Sequence, residues 1–176
     1  MRKTTTRREL LAAIDDGDLS RVKSMLAEGA PCDRGHWPLR VSESPLCLAV
    51  QRRFGRVIEL LLRAGAPVDE VGSLGYNALQ IASHGSDASA VGILLSSGAD
   101  PRSYRQRPSP LALAAFAGSR EVVALIIASG GDPQDVWNGG PASAIRLHKS
   151  VLRELVAGSP SPPQFALQLV EDEDRE

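Results

Sequence analysis

Aromatic side chains are scarce in this chain: three Phe, two Trp and two Tyr among 176 residues. A core of stacked rings is therefore excluded, and the interior falls to Leu, Ile, Val and Ala. Cysteine is scarcer still. Cys32 and Cys47 cannot form a disulfide framework, which fits a reducing, cytoplasmic setting. No apolar run reaches membrane-spanning length, so no membrane partner is expected. The start, MRKTTTRREL, is basic but lacks the apolar core of a secretory signal. Net charge is nearly absent as well: 20 basic against 21 acidic side chains leave −1, so bulk electrostatics point to no nucleic acid. The balance is uneven, because the last six residues, EDEDRE, are strongly acidic.

What the chain does contain is a repeat. "AEGAPCD", "RAGAPVD", "SSGADP" and "ASGGDP" recur along it, and their first glycines, Gly29, Gly65, Gly98 and Gly130, lie 36, 33 and 32 residues apart. Arg8, Ser44, Asn77 and Ser109 stand 21 residues before them. Three of these four are good helix N-caps, and Pro45 and Pro110 follow where a helix tolerates proline best. Leu10, Leu46, Leu79 and Leu111 come next, with Ala13, Ala49, Ala82 and Ala114 three residues later. Small residues on one helical face allow helices to approach closely. A second apolar helix follows in each unit (VKSML, VIELLL, VGILL, VVALII) and runs into the glycine, which supplies a left-handed C-cap. A period near 33 with paired helices predicts a stacked solenoid.

These units resemble the ankyrin repeat, roughly T-P-L-H-x-A-A-x-x-G-H-x-x-I-V-x-x-L-L-x-x-G-A-D. The best copies are "SPLCLAV…VIELLLRAGAPVD" and "SPLALAAFAGSREVVALIIASGGDP". The resemblance covers residues 8–158 and implies an all-α solenoid of helix-turn-helix units linked by β-hairpin-like loops, about five repeats in all. Their expected bounds are 8–43, 44–76, 77–108, 109–139 and 140–158, the first and last being atypical as end repeats must be. The family's His position holds Leu11, Cys47, Gln80, Ala112 and Ser143. That substitution implies loss of the inter-repeat hydrogen bonding the His provides, and a greater reliance on packing. Residues 159–176, SPSPPQFALQLVEDEDRE, break the period. They read as a Pro-rich, acidic and partly disordered tail in which "FALQLV" could add a short strand or helical turn.

Motifs for chemistry are missing. Cys32, His36 and Cys47 leave a metal without a fourth ligand. His148 has no carboxylate at helical spacing, His84 stands alone without a triad, and no G-x-S-x-G elbow or phosphate loop occurs. The chain is therefore read as a non-enzyme without cofactor or metal, as the resemblance also implies.

The connecting segments are more informative. In the family they form fingers that, with the first helices, line a concave partner-binding face. Here they read "RGHWPLRVSE", "EVGSLGY", "RSYRQRP" and "QDVWNGG". Each holds one aromatic, Trp37, Tyr76, Tyr104 or Trp137, and Arg34, Arg40, Arg102, Arg105 and Arg107 accompany them. Two readings stay open: the rings stack finger on finger, or they form with Arg a ladder that grips a protein. The inner-helix positions Asp15, Asp16, Gln51, Arg52, His84, Gly85, Phe116 and Ala117 complete the face. The candidate contact residues are Trp37, Arg40, Arg52, Tyr76, His84, Arg102, Tyr104, Arg105, Arg107, Phe116 and Trp137. The expected function is protein binding by a monomer, favouring an acidic partner surface. An inhibitor or immunity protein that blocks a toxin or enzyme is the alternative, and nucleic-acid or phosphate-ligand binding through Arg102, Arg105 and Arg107 the third reading.

Overall fold

A computed structural model describes residues 6–33, 43–102, 108–137 and 149–173. Four helix pairs follow one another: α1 (Arg7–Asp15) with α2 (Leu19–Ala27), α3 (Pro45–Gln51) with α4 (Gly55–Arg63), α5 (Ala78–His84) with α6 (Ala88–Ser96), and α7 (Pro110–Ala117) with α8 (Arg120–Ala128). A single turn, α9 (Gln134–Trp137), precedes α10 (Lys149–Gly158) and α11 (Gln164–Glu173). Like helices stack on like. The first helices form one layer, α1 on α3 on α5 on α7, and the second helices another, α2 on α4 on α6 on α8 on α10. The result is an all-α solenoid, and none of its described helices is long and apolar enough to cross a membrane.

Packing follows the periodic residues. Leu10, Leu46, Leu79 and Leu111 are at most 1% exposed, and Ala13, Ala49, Ala82 and Ala114 are equally buried beside them. Each such leucine contributes about 1.5–3 kcal/mol of transfer free energy. Ser109 Oγ and Asn77 Oδ1 accept the N–H groups of Ala112 and Gln80, whereas Ser44 sits at the N-cap of α3 without a side-chain cap bond. At the other end of each unit Gly29, Gly65, Gly98 and Gly130 take φ between 84° and 95°. Only glycine reaches that region without steric cost.

Three sequence expectations within the repeats need correction. The cap of α1 is Thr6, two residues before Arg8: its hydroxyl and the Glu9 carboxylate form a reciprocal capping box. The described part of "QDVWNGG", residues 134–137, is the helical turn α9, and Asp132 Oδ1 accepts the Gln134 N–H at its start at 2.9 Å. At two of the His positions the residue present still donates to the backbone of the finger that closes its own unit. Gln80 Nε2 donates to the Pro108 carbonyl at 2.9 Å, and the Cys47 thiol faces the Glu70 and Tyr76 carbonyls at 3.6 and 3.7 Å. An amide and a thiol can each supply the donor that a His would, so the contact outlives the change of residue. At the chain's end α11 is longer than the short strand or turn read from "FALQLV"; Ala166 is buried and the helix packs on α10.

Candidate functional site

Of the four expected fingers, the second is the one the structure describes in full. Val71 and Asn77 form an antiparallel bridge, Gly72 N–H donates to the Tyr76 carbonyl at 2.9 Å, and Gly75 N–H returns to the Gly72 carbonyl at 3.0 Å. Gly75 has φ of 79°, a turn position that favours glycine. The turn holds Leu74 out at its tip, 63% exposed.

Beneath this finger lies a cleft of about 260 Å³ lined by Gln51, Leu74, Tyr76, Gln80, Ile81, His84 and Leu113. Its walls are the end of α3, one face of α5, the start of α7 and the finger itself. Ile81 and His84 are three residues apart on α5 and so share a face. Leu113 and Phe116 do the same on α7, and Phe116 is 48% exposed. Apart from His84 the lining has no ionisable group but the Tyr76 phenol, so the cleft suits an uncharged group. A second cleft of about 210 Å³ adjoins it, sharing Gln51, Ile81 and His84 and adding Arg53, Gly85 and Asp87.

Charged side chains nearby are engaged within the solenoid. Arg52 binds Asp15 through Nε at 2.7 Å and Nη2 at 2.5 Å, and both side chains are half exposed. Arg53 donates to the Gly85 carbonyl at 2.6 Å, and Arg102 Nε to the Gly130 carbonyl at 2.8 Å. Arg53 and Arg102 thus each reach a backbone carbonyl of the following unit. Arg53 and Ser86 occupy equivalent inter-helix turns with φ of 58° and 53°, where Gly17 and Gly118 stand in the neighbouring units. Left-handed backbone at non-glycine residues is uncommon, and the Arg53 bond to the next unit offsets part of its cost.

The helix-end motif of α3, α5 and α7, the stacked layers and the glycine stops together specify one fold. A model of three ankyrin repeat copies matches residues 10–105 and 46–136. The chain belongs to the ankyrin repeat family. A Caenorhabditis elegans protein, "Ankyrin repeat and KH domain-containing protein mask-1", is 32% identical to it over 128 residues. That match covers 70% of this chain and 5% of the much longer relative. Ankyrin repeats are in general protein-interaction modules, and the family is typically non-enzymatic.

The expected contact residues divide between the cleft and the scaffold. Tyr76 and His84 line the cleft, and Phe116 lies one turn beyond Leu113. Arg52 and Arg102 lie outside it, bonded to Asp15 and Gly130. Trp137 is the last residue of α9. Trp37, Arg40, Tyr104, Arg105 and Arg107 fall outside the described residues, as do Arg34, His36, Ser143 and His148. Sequence reasoning missed Leu74, Ile81 and Leu113. The signal for Leu74 was present: a large apolar residue between Ser73 and Gly75, in the middle of a short connecting segment.

Titration adds little chemistry to the site. Burial, reinforced by the Glu43 carboxylate, pushes the Cys47 thiol up to about 12, so it remains a donor and not a nucleophile. Burial also raises Cys32, whose thiol lies 3.5 Å from the Ala64 carbonyl.

Proposed function

We propose that this chain binds a protein partner by seating an apolar side chain in the cleft between the Leu74 finger, α5 and α7. The observation that carries the reading is the pairing of a largely apolar cleft with two large exposed apolar side chains, Leu74 and Phe116. Exposed apolar groups beside a shaped cavity are the features of an interface core. Gln51 and His84 at its edge supply polar contacts that orient the partner. Of the arginines expected to favour an acidic surface, Arg52 and Arg102 already hold partners in the scaffold, Asp15 and the Gly130 carbonyl.

A peptide-display selection tests this. Sequences enriched on the wild-type chain are expected to carry a large apolar residue and to lose at least about tenfold in affinity on Leu74→Asp or Phe116→Asp. Both positions are exposed, so stability should stay within about 0.5 kcal/mol of wild type by urea unfolding. Peptides bound equally well by both variants would sink the proposal.

A further inference from the structure

We infer that Glu43 is a positioning residue whose carboxylate fixes the tip of the Leu74 finger and so the mouth of the cleft; its consequence for binding rests on the reading above. Glu43 precedes α3 and stands 30 residues before the residue it holds. Its Oε1 accepts the Ser73 N–H at 3.3 Å, and its Oε2 accepts the Ser73 hydroxyl in a short contact. The same Oε1 accepts the Ser44 N–H at 3.1 Å, and the Glu43 carbonyl accepts Arg7 Nη2 at 2.7 Å. The strut is thereby anchored at its base by the first unit and by α3.

The finger needs such support. It has one isolated bridge, and a two-stranded ribbon of this size is marginal in water. Hydrogen bonds to a charged carboxylate are about twice as strong as neutral ones, and here both the backbone and the side chain of Ser73 make them. The approach is close at Gly72 as well. A Cβ there would strike the Glu43 carboxylate and lie 3.1 Å from Cys47 Cβ and 3.2 Å from its sulfur. Cys47 completes the seat with its thiol against the Glu70 and Tyr76 carbonyls. The tip is thus set by the preceding unit before any partner arrives, which lowers the ordering cost of binding.

Hydrogen exchange on the full chain tests the strut. Glu43→Ala is expected to speed exchange of the Gly72 and Ser73 amides at least about tenfold while amides of α4 and α6 keep wild-type rates. Glu43→Gln retains an oxygen acceptor and should return the finger to within about threefold of wild type. Ser73→Ala, which spares Glu43, should shift the same amides in the same direction by less. Wild-type exchange at residues 72–76 in Glu43→Ala, or an equal rise in the finger and α4, overturns the inference. Should Glu43→Ala not fold, Ser73→Ala and Glu43→Gln test the strut through the same amides: wild-type exchange there in Ser73→Ala overturns it. Leu74→Asp separates the two proposals: it removes the apolar contact with the strut intact, so unchanged peptide affinity there sinks the cleft reading and leaves the finger exchange result standing.

Discussion

Replacing Gln80 with leucine removes two roles from one buried side chain. Gln80 is 3% exposed; its Oε1 accepts the Asn77 N–H at 2.9 Å, and its Nε2 donates to the Pro108 carbonyl at 2.9 Å. Asn77 is itself 1% exposed, so its N–H would lose its acceptor where water does not reach. An orphaned buried donor costs about 1–3 kcal/mol. The Pro108 end is cheaper: that residue is exposed and its carbonyl can turn to water, leaving a net loss of about 0.5–1.5 kcal/mol. Leucine recovers part of this by burying its apolar atoms, about 1 kcal/mol. The balance is a destabilisation centred on about 2 kcal/mol (about 0.5–3.5 by these terms), or a fall in Tm of about 4–8 °C at the central value for a chain of this size. Urea unfolding followed by circular dichroism measures it, with an unchanged m-value required for a clean comparison. Gln80→His restores the family's residue and a ring N–H for Pro108 and should cost less than the leucine. A leucine variant within about 0.5 kcal/mol of wild type would refute the claim that these bonds replace the missing His.

Two further predictions concern titratable groups. Ellman's reagent at pH 8 should modify the half-buried Cys32 well before Cys47, whose thiol is buried and pushed up to about 12; equal rates for the two would contradict the placement of Cys47. Asp69 is raised above the ordinary carboxylate value of 3.8, first by burial and then by the neighbouring Asp100 carboxylate, against the lowering effect of the Asp100 N–H. The folded state therefore holds this proton more tightly than the unfolded chain, and its contribution to stability falls as pH rises from 3.8 through the raised value. Asp69→Asn, which keeps an oxygen for the Asp100 N–H at 3.2 Å, should flatten that part of the stability-pH curve; an unchanged curve would refute the assignment.

Part of the proposed cleft was legible in the residues and part was not. Tyr76 and His84 were found because their positions within the unit place them on the finger and the end of a first helix. Leu74 was overlooked because aromatics and arginines carry a compositional signal for interfaces, whereas a single leucine does not. Arg52 and Arg102 satisfied that signal, yet the scaffold uses both: Arg52 reaches Asp15, 37 residues earlier, and Arg102 reaches Gly130, 28 residues later.

The sequence by itself determined the repeat. Caps at Asn77 and Ser109, prolines at the first helical turn, leucine and alanine three residues apart and glycine at each stop act over one or two turns of chain. Such short-range preferences are carried by the residues themselves. The tertiary structure decided which distant groups meet: Gln80 with Pro108 and Cys47 with the finger carbonyls inside a unit, Glu43 with Ser73 and Arg53 with Gly85 between units. These partners lie 23 to 32 residues apart. The last two contacts depend on the offset and rotation of one unit on the next, which the periodicity of a single unit leaves open. The scaffold is written locally, while the shape of the cleft it presents is fixed by how the units stack.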